Sequence, residues 1–278
     1  MPNQLVGSVV ALWRYPVKSM MGEELNASNV THAGLLGDRA YAIVDAETGK
    51  VASAKNPKKW PKLFDFRASY VEPPEPGRPI PPVRITLPGG TVVLTDDAGV
   101  DEVLSKELGR NVRLALTTTK PLLEEYWPDI DGLLHREKLT DEAMPEGTFF
   151  DLGTVHVLTT NTLQALRAAY PQGRFEVRRF RPNVVVQLSA GEDNFVENDW
   201  VGRGLALGSE VRLTITGPCP RCVMTTLPQG DLPRDLGILK TAAKQNNANV
   251  GIYAAVANTG RLWRGDAVTL EEAAKAAA

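Results

Sequence analysis

The chain is expected to fold as a mainly β protein with some α (α+β), barrel-like rather than a parallel α/β sheet. Three observations carry that expectation. Strand-like runs are many and short, helical runs are few, and Pro- or Gly-rich turns separate them. No G-x-G-x-x-G follows a strand and no G-x-x-x-x-G-K-S/T occurs, so a nucleotide-loop mechanism has no support.

In chain order, strands are expected at 7–14, 40–45, 83–87, 91–94 and 112–116. Pro88-Gly89-Gly90 supplies a hairpin turn between the third and fourth. A helix is expected over 97–108, capped by Asp97 and stopped by Gly109. The Pro-rich stretch 72–82 reads as an exposed extended loop. No periodicity persists over 121–147, which fits a connection or a lid carrying Trp127. Strands follow at 155–160, 184–188, 210–215, 250–256 and 267–270. Helices are expected at 161–169, capped by Thr160 or Asn161, and within 232–245, interrupted near Gly237. The segment 223–228 is β-prone, and 271–278 reads as a short helix or a frayed end. The expected division is 1–120 for a first β domain, 121–148 for the connection, 149–272 for a second domain and 273–278 for a tail.

A length of 278 residues allows a sizeable core in one large or two modest domains. Hydrophobic residues make up 43% and charged residues 23%, the balance of an ordinary globular protein. A formal net charge of −2 argues against a nucleic-acid surface. No apolar run is long enough for a transmembrane helix, and the first residues lack the charged region of a signal peptide. The expectation is a cytoplasmic protein without membrane attachment. With two cysteines, a disulfide framework is not expected.

Both cysteines fall in Gly217-Pro218-Cys219-Pro220-Arg221-Cys222. Two prolines stiffen this stretch, and Arg221 favours an ionised sulfur at Cys222, a soft metal ligand. The C-x-x-C spacing alone suits a dithiol pair, half of a zinc site, a disulfide or two structural cysteines. Zinc would need further ligands from His32, His135 and His156, none at paired spacing. A thioredoxin-type pair would open a helix, which the β-prone run after Cys222 does not favour.

Three other motifs accompany this stretch in order: Tyr15-Pro16-Val17-Lys18-Ser19-Met20, Gly37-Asp38-Arg39-Ala40-Tyr41 and Phe180-Arg181-Pro182-Asn183. Together the four resemble the MOSC family, named for the C-terminal domain of molybdenum cofactor sulfurase. The likeness is to its two-part members with an N-terminal MOSC-associated β domain, among them the amidoxime-reducing components and bacterial reductases of N-hydroxylated compounds. It covers nearly the whole chain and implies a MOSC β-barrel domain preceded by a second barrel-like domain.

That resemblance implies a bound molybdenum cofactor (Mo-molybdopterin) with Cys222 as metal ligand and catalytic centre, and Cys219 as its packing neighbour. It implies that Lys18, Ser19, Arg39, Arg181, Asn183, Pro220 and Arg221 hold the phosphate or pterin. Elementary chemistry agrees, since guanidinium forks match phosphate oxygens and the prolines keep neighbouring backbone extended. Asp151 and Thr160 are further candidates for pterin contact, with a cap or turn as the competing role. Thr225 and Thr226 bond the loop or sit in a strand, His32 and His156 read as packing or surface residues, and the tryptophans as anchors. The implied activity is two-electron reduction of N-hydroxylated small molecules such as amidoximes or hydroxylamines. Two cysteines cannot hold an iron–sulfur cluster, so an external electron-transfer protein of ferredoxin or flavin reductase type is implied. The alternative is a cofactor carrier or sulfur-transfer protein without turnover.

Overall fold

The computed structural model describes residues 3–117, 122–127, 138–189 and 194–272. The first part contains β1 (Gln4–Arg14), β2 (Glu23–Leu25), β3 (Ala27–Thr31), β4 (Gly34–Leu35) and β5 (Tyr41–Asp45). A three-stranded antiparallel sheet of β6 (Arg67–Tyr70), β7 (Val83–Thr86) and β8 (Val92–Leu94) follows. Next come α1 (Val100–Leu108), β9 (Val112–Leu116) paired with β5, and a hairpin of β10 (Leu123–Tyr126) and β11 (Thr140–Ala143). The rest supplies β12 (Val155–Thr159), α2 (Thr160–Ala169), α3 (Val177–Phe180), β13 (Val184–Leu188), β14 (Gly204–Leu207) and β15 (Val211–Pro220). It ends with α4 (Leu236–Asn246), β16 (Asn249–Asn258), β17 (Gly260–Trp263) and β18 (Ala267–Glu271).

Seven strands close a barrel in the order β13-β12-β16-β15-β14-β18-β1, the seam being the antiparallel pair of β1 and β13. The mainly β, barrel-containing fold expected from the sequence is thus observed. Alternate side chains fill the interior: Val155 and Val157, Val184 and Val186, Leu205 and Leu207, Leu213 and Ile215 are buried in one cluster. The N-terminal strand is a stave of this barrel, so the ladder ties the two ends of the chain together. Helices α2, α3 and α4 bury Leu163, Leu166, Phe180, Ile238 and Ala242 in a cluster that also takes Leu158 and Val250 from the barrel strands β12 and β16. A separate core gathers Ile43, Phe66, Ile85 and Leu104 in the first part, and the turn after β15 docks onto it: Met224 is a member, with Cys222 and Leu227 packed against it. No helix among the described residues is long and apolar enough to cross a membrane.

Several local expectations change. Strand β15 does not stop at residue 215 but continues through Pro218 and Pro220, opposite Ile252 and Asn249, across register shifts. Prolines fit there because β14 pairs with β15 only as far as Thr214, leaving the other edge free of a ladder. Residues Val223–Thr226 form a 3₁₀ turn rather than a strand. Helix α1 starts later than expected, with Gly99 at its N-cap in the left-handed region, while Asp97 accepts the Leu94 N–H in the preceding turn. Helix α2 is capped by Thr159, whose side chain accepts the Thr162 N–H. Helix α4 runs without interruption because Asp235 caps the Gly237 N–H. The stretch 121–147 contains the β10–β11 hairpin, and Glu271 closes β18 instead of opening a helix. The expected tail 273–278 and His135 lie outside the described residues.

Candidate functional site

A cavity of about 280 Å³ opens where the end of β15 meets the first part of the chain. Arg39, Asp151, Arg181, Asn183, Pro220, Arg221 and Cys222 all line it, so seven of the ten residues singled out from sequence converge. Lys18, Ser19 and Thr160 do not line it. A concavity of about 320 Å³ under the Pro-rich loop carries neither sulfur nor a strained backbone.

Backbone geometry marks the same place. Five non-glycine residues among those described have positive φ: Ser19, Arg39, Arg181, Asn247 and Ala248. This conformation crowds Cβ against the carbonyl and persists where surroundings enforce it, often at functional sites. Ser19 is held by the Ala54 N–H on its Oγ (3.1 Å), and Arg39 by its own N–H on Tyr15 O (2.8 Å). Arg181 caps α3 and anchors through Nη1 on Met20 O (2.6 Å), while Ala248 O receives the Arg221 N–H (2.8 Å).

One wall is cationic. The Arg39 guanidinium is paired with Asp38 and lies 4.7 Å from the Tyr15 ring centroid. Asp38 also accepts from Asn183 Nδ2 (2.9 Å), and Asn183 Oδ1 takes the His156 N–H (3.1 Å), so one network fixes both motifs. Arg181 is 4% exposed, and burial, with the neighbouring Arg39 charge, lowers it to about 10. Arg221 donates to Cys219 Sγ (2.7 Å) and Phe180 O (2.9 Å). Nη2 of Arg181 and Nε of Arg221 are buried with no acceptor among the described residues. Two guanidiniums bordering one cavity suit an anionic ligand.

The opposite wall is a lysine–carboxylate cluster. Lys55 Nζ contacts Glu124 (2.9 Å), Glu142 (3.2 Å) and Asp151 (3.3 Å), and Lys18 Nζ contacts Asp151 (2.6 Å), Glu124 (3.3 Å) and Phe149 O (2.9 Å). Lys18 therefore orders this wall from behind, while Ser19 orders the Ala54–Lys55 backbone. Burial works against charge on Lys55, but Asp151 and Glu124 outweigh it and hold the ammonium above its ordinary value. Burial likewise opposes ionisation of Asp151, yet Lys18 and Lys55 keep its carboxyl well below the usual range.

Cys222 sits between the two walls, half-buried, whereas Cys219 is fully buried. Burial pushes the Cys222 thiol up, against Lys55, the Met224 N–H and Arg221, which all favour thiolate. A metal cation at the sulfur would overcome that penalty. Arg179, fully buried, clamps the turn beyond Cys222: it donates to Thr225 O (3.2 Å), Leu227 O (3.2 Å), Pro233 O (2.9 Å) and Arg174 O (2.9 Å). The Thr225 and Thr226 hydroxyls close the turn on Cys222 O (3.1 Å) and Val223 O (2.8 Å).

Sequence reasoning missed Lys55, Tyr126, Glu142 and Tyr253 as lining residues, while His156, read as a packing or surface residue, is buried as a packing residue and also borders the cavity. The signal for the first three was the doublet of acidic pairs, Glu124-Glu125 and Asp141-Glu142, in a segment with no apolar period. Such pairs need lysines from elsewhere. Trp127 does not line the cavity; the Lys58 ammonium lies 4.4 Å from its ring centroid.

His156 is buried, with Nε2 2.9 Å from Val250 O, and burial, helped by the Arg221 charge, lowers it to about 3. The unfolded chain protonates this imidazole near pH 6.5 while the folded chain does not, so stability is full above that pH and declines toward pH 3. Between pH 7 and 5, wild type is expected to lose about 2 kcal/mol more than His156→Gln. Urea denaturation at the two pH values checks this, and equal losses would refute it.

Comparison with known proteins agrees with this architecture. The MOSC N-terminal beta barrel domain matches residues 6–95, and the MOSC domain matches 147–269. Mitochondrial amidoxime reducing component 2 of Rattus norvegicus is 24% identical over 291 residues, covering 95% of this chain and 83% of that protein. The Homo sapiens component 2 is 25% identical, covering 81% and 68%. Among solved structures, the YUAD protein of Bacillus subtilis shares the fold at a TM-score of 0.50 and 12% identity, over 98% of this chain and 99% of that one. With both domain models matched in order along most of its length, the chain belongs to the MOSC family, in the group whose members carry the MOSC N-terminal beta barrel domain.

Proposed function

We propose that this protein binds a molybdenum–pterin cofactor at the Cys222 cavity and reduces N-hydroxylated small molecules such as amidoximes. The observation that carries the proposal is the pairing of a half-buried thiol with two guanidiniums, each holding a buried N–H that finds no acceptor among the described residues. These donors suit an anionic cofactor tail, and the sulfur suits a soft metal. Among the described residues no cluster of three or more His, Cys, Asp or Glu converges for a metal. Cys222 would therefore be the single protein ligand, and the cofactor would bring the others, as a dithiolene pterin does. The fit is thus one of chemistry on both ends of the cavity. The relatives' name, amidoxime reducing component, supports the reaction class.

When bound, the cofactor supplies two-electron redox chemistry. The chain's own residues orient it and shape the cavity. Arg181 and Arg221 hold the anionic end, while Asn183 and Asp38 keep the cationic wall in register. Lys55, Glu142 and Tyr126 border the cavity on the hairpin side, where a substrate N–OH group can meet an ammonium, a carboxylate and a phenol. The division into 1–120, 121–148 and 149–272 remains part of the proposal as a functional division, the middle segment supplying one wall through Tyr126 and Glu142.

The test is anaerobic reduction of benzamidoxime by reduced methyl viologen, using protein produced in a host that makes the cofactor. Stoichiometric benzamidine formation is expected. Protein loaded with cofactor but inert toward amidoximes, hydroxylamines and N-oxides would favour a carrier role instead. Arg181→Met is expected to lower pterin retention about 10- to 100-fold, the range typical of residues that support a metal site from outside its ligand shell. Quantifying released pterin by fluorescence checks it, and unchanged retention would count against the cationic wall as the anion site.

A further inference from the structure

A second cleft, of about 430 Å³, has no lining residue in common with the Cys222 cavity but is bordered by chain neighbours of residues that serve it. Trp13, Met21 and Val177 give it an apolar floor, and Arg67, Arg167, Arg178 and Glu176 surround them. Two segments of chain link the cleft to the cavity. Met21 faces this cleft while Met20 O, one residue earlier, holds Arg181 on the cavity side. Arg178 lines the cleft, the next residue clamps the turn after Cys222, and Arg181 lines the Cys222 cavity.

The charges here do not cancel. Arg174 and Arg178 share Glu176 and Asp231 in exposed ion pairs. Arg167 gives Nη2 to a carbonyl, Phe175 O (2.7 Å), and neither it nor Arg67 forms a carboxylate pair with a described residue. Both are exposed. Arg67 and Arg178 also converge: a Cβ placed on Gly230 would lie 3.5 Å from the Arg67 Nη2 and 3.6 Å from the Arg178 Nη1. In a chain of net charge −2, an apolar floor beside two guanidiniums without a carboxylate pair among the described residues, Arg67 and Arg167, is a directed surface, and Arg with Trp at a polar-rimmed cleft is the composition of a protein interface.

We propose that this cleft is the docking surface for an acidic electron-carrying protein that serves the Cys222 site, an inference that rests on the oxidoreductase reading above. Each turnover breaks one N–O bond, forms one N–H bond and one water, and consumes two protons and two electrons. Two reduced one-electron carriers supply those electrons and leave oxidised. The guanidiniums steer the acidic carrier, and the apolar floor seats it against the segments that hold the Cys222 turn.

The experiment compares loaded wild type with the double variant Arg67→Glu/Arg167→Glu and a charge-matched control, Arg113→Glu/Arg261→Glu, both exposed, on β9 and β17. Benzamidoxime reduction is driven either by reduced methyl viologen or by a reduced, acidic, plant-type 2Fe–2S ferredoxin. Viologen-driven rates are expected to match in all three proteins. Ferredoxin-driven kcat/KM is expected to fall about tenfold or more in the cleft variant alone, with the gap narrowing as salt is raised. Equal ferredoxin kcat/KM in the cleft variant and the control would overturn the proposal. So would a wild type that viologen reduces and ferredoxin does not. Failure of viologen itself to drive loaded wild type would sink the oxidoreductase reading, so the two failures are distinguishable.

Discussion

Cys222→Ser is expected to abolish N-hydroxyl reduction while leaving the fold intact. A hydroxyl is a hard, weakly acidic donor and replaces a soft thiolate poorly. Losing a residue that merely supports a metal ligand costs 10–100-fold in affinity, so losing the single ligand proposed above is expected to exceed about 100-fold in molybdenum retention. The side chain is half-buried, and the swap removes little apolar volume, so the thermal midpoint is expected to stay within a few degrees of wild type. Activity and molybdenum content measured with calorimetry on the same preparations separate the outcomes. A folded variant that keeps metal and activity would return Cys222 to a structural role. Cys219→Ser is the contrasting case, because Cys219 is fully buried and receives the Arg221 Nη1.

The second large effect belongs to Arg179. Its guanidinium has no carboxylate partner among the described residues; four backbone carbonyls accept from it, two of them in the stretch just beyond Cys222. Arg179→Met fills much of the volume but strips the donors from carbonyls that water reaches poorly. Each buried, unanswered polar group costs about 1–3 kcal/mol, so a loss of about 3–5 kcal/mol is expected. Because the turn also docks Met224 on the first core, cofactor retention is expected to fall with stability. Guanidinium denaturation gives the free energy, and a loss under about 1 kcal/mol would show that the clamp is dispensable.

Parts of this were legible in the sequence for identifiable reasons. Strands at 112–116 and 184–188 were read with the observed bounds, since β-branched and aliphatic runs flanked by turn residues carry their own signal. Arg39, Arg181, Asn183, Pro220, Arg221 and Cys222 were singled out because their motifs resemble those of the MOSC family, and they line one cavity. The β10–β11 hairpin was not legible. Its strands, Leu123-Glu124-Glu125-Tyr126 and Thr140-Asp141-Glu142-Ala143, carry adjacent acids instead of an apolar alternation. They form because Lys50, Lys55 and Lys59 reach them from a loop far upstream: Lys50 meets Asp141 (2.7 Å) and Lys59 meets Glu125 (3.2 Å). That is tertiary electrostatics, invisible to any local window. Lys55 was missed for the same reason, since Ser53-Ala54-Lys55-Asn56-Pro57 reads as a solvated turn until the hairpin buries it. The left-handed backbone at Ser19, Arg39 and Arg181 was equally hidden, because those residue types do not advertise positive φ.

The measurement that bears most directly on the central claim is molybdenum and pterin content of the wild-type protein, purified from a host that makes the cofactor. Metal by mass spectrometry and oxidised pterin by fluorescence, each near one per chain, are the predicted result. Negligible amounts of both, in folded protein from a host whose other molybdenum enzymes are loaded, would contradict it and leave the two guanidiniums and Cys222 waiting for a different ligand.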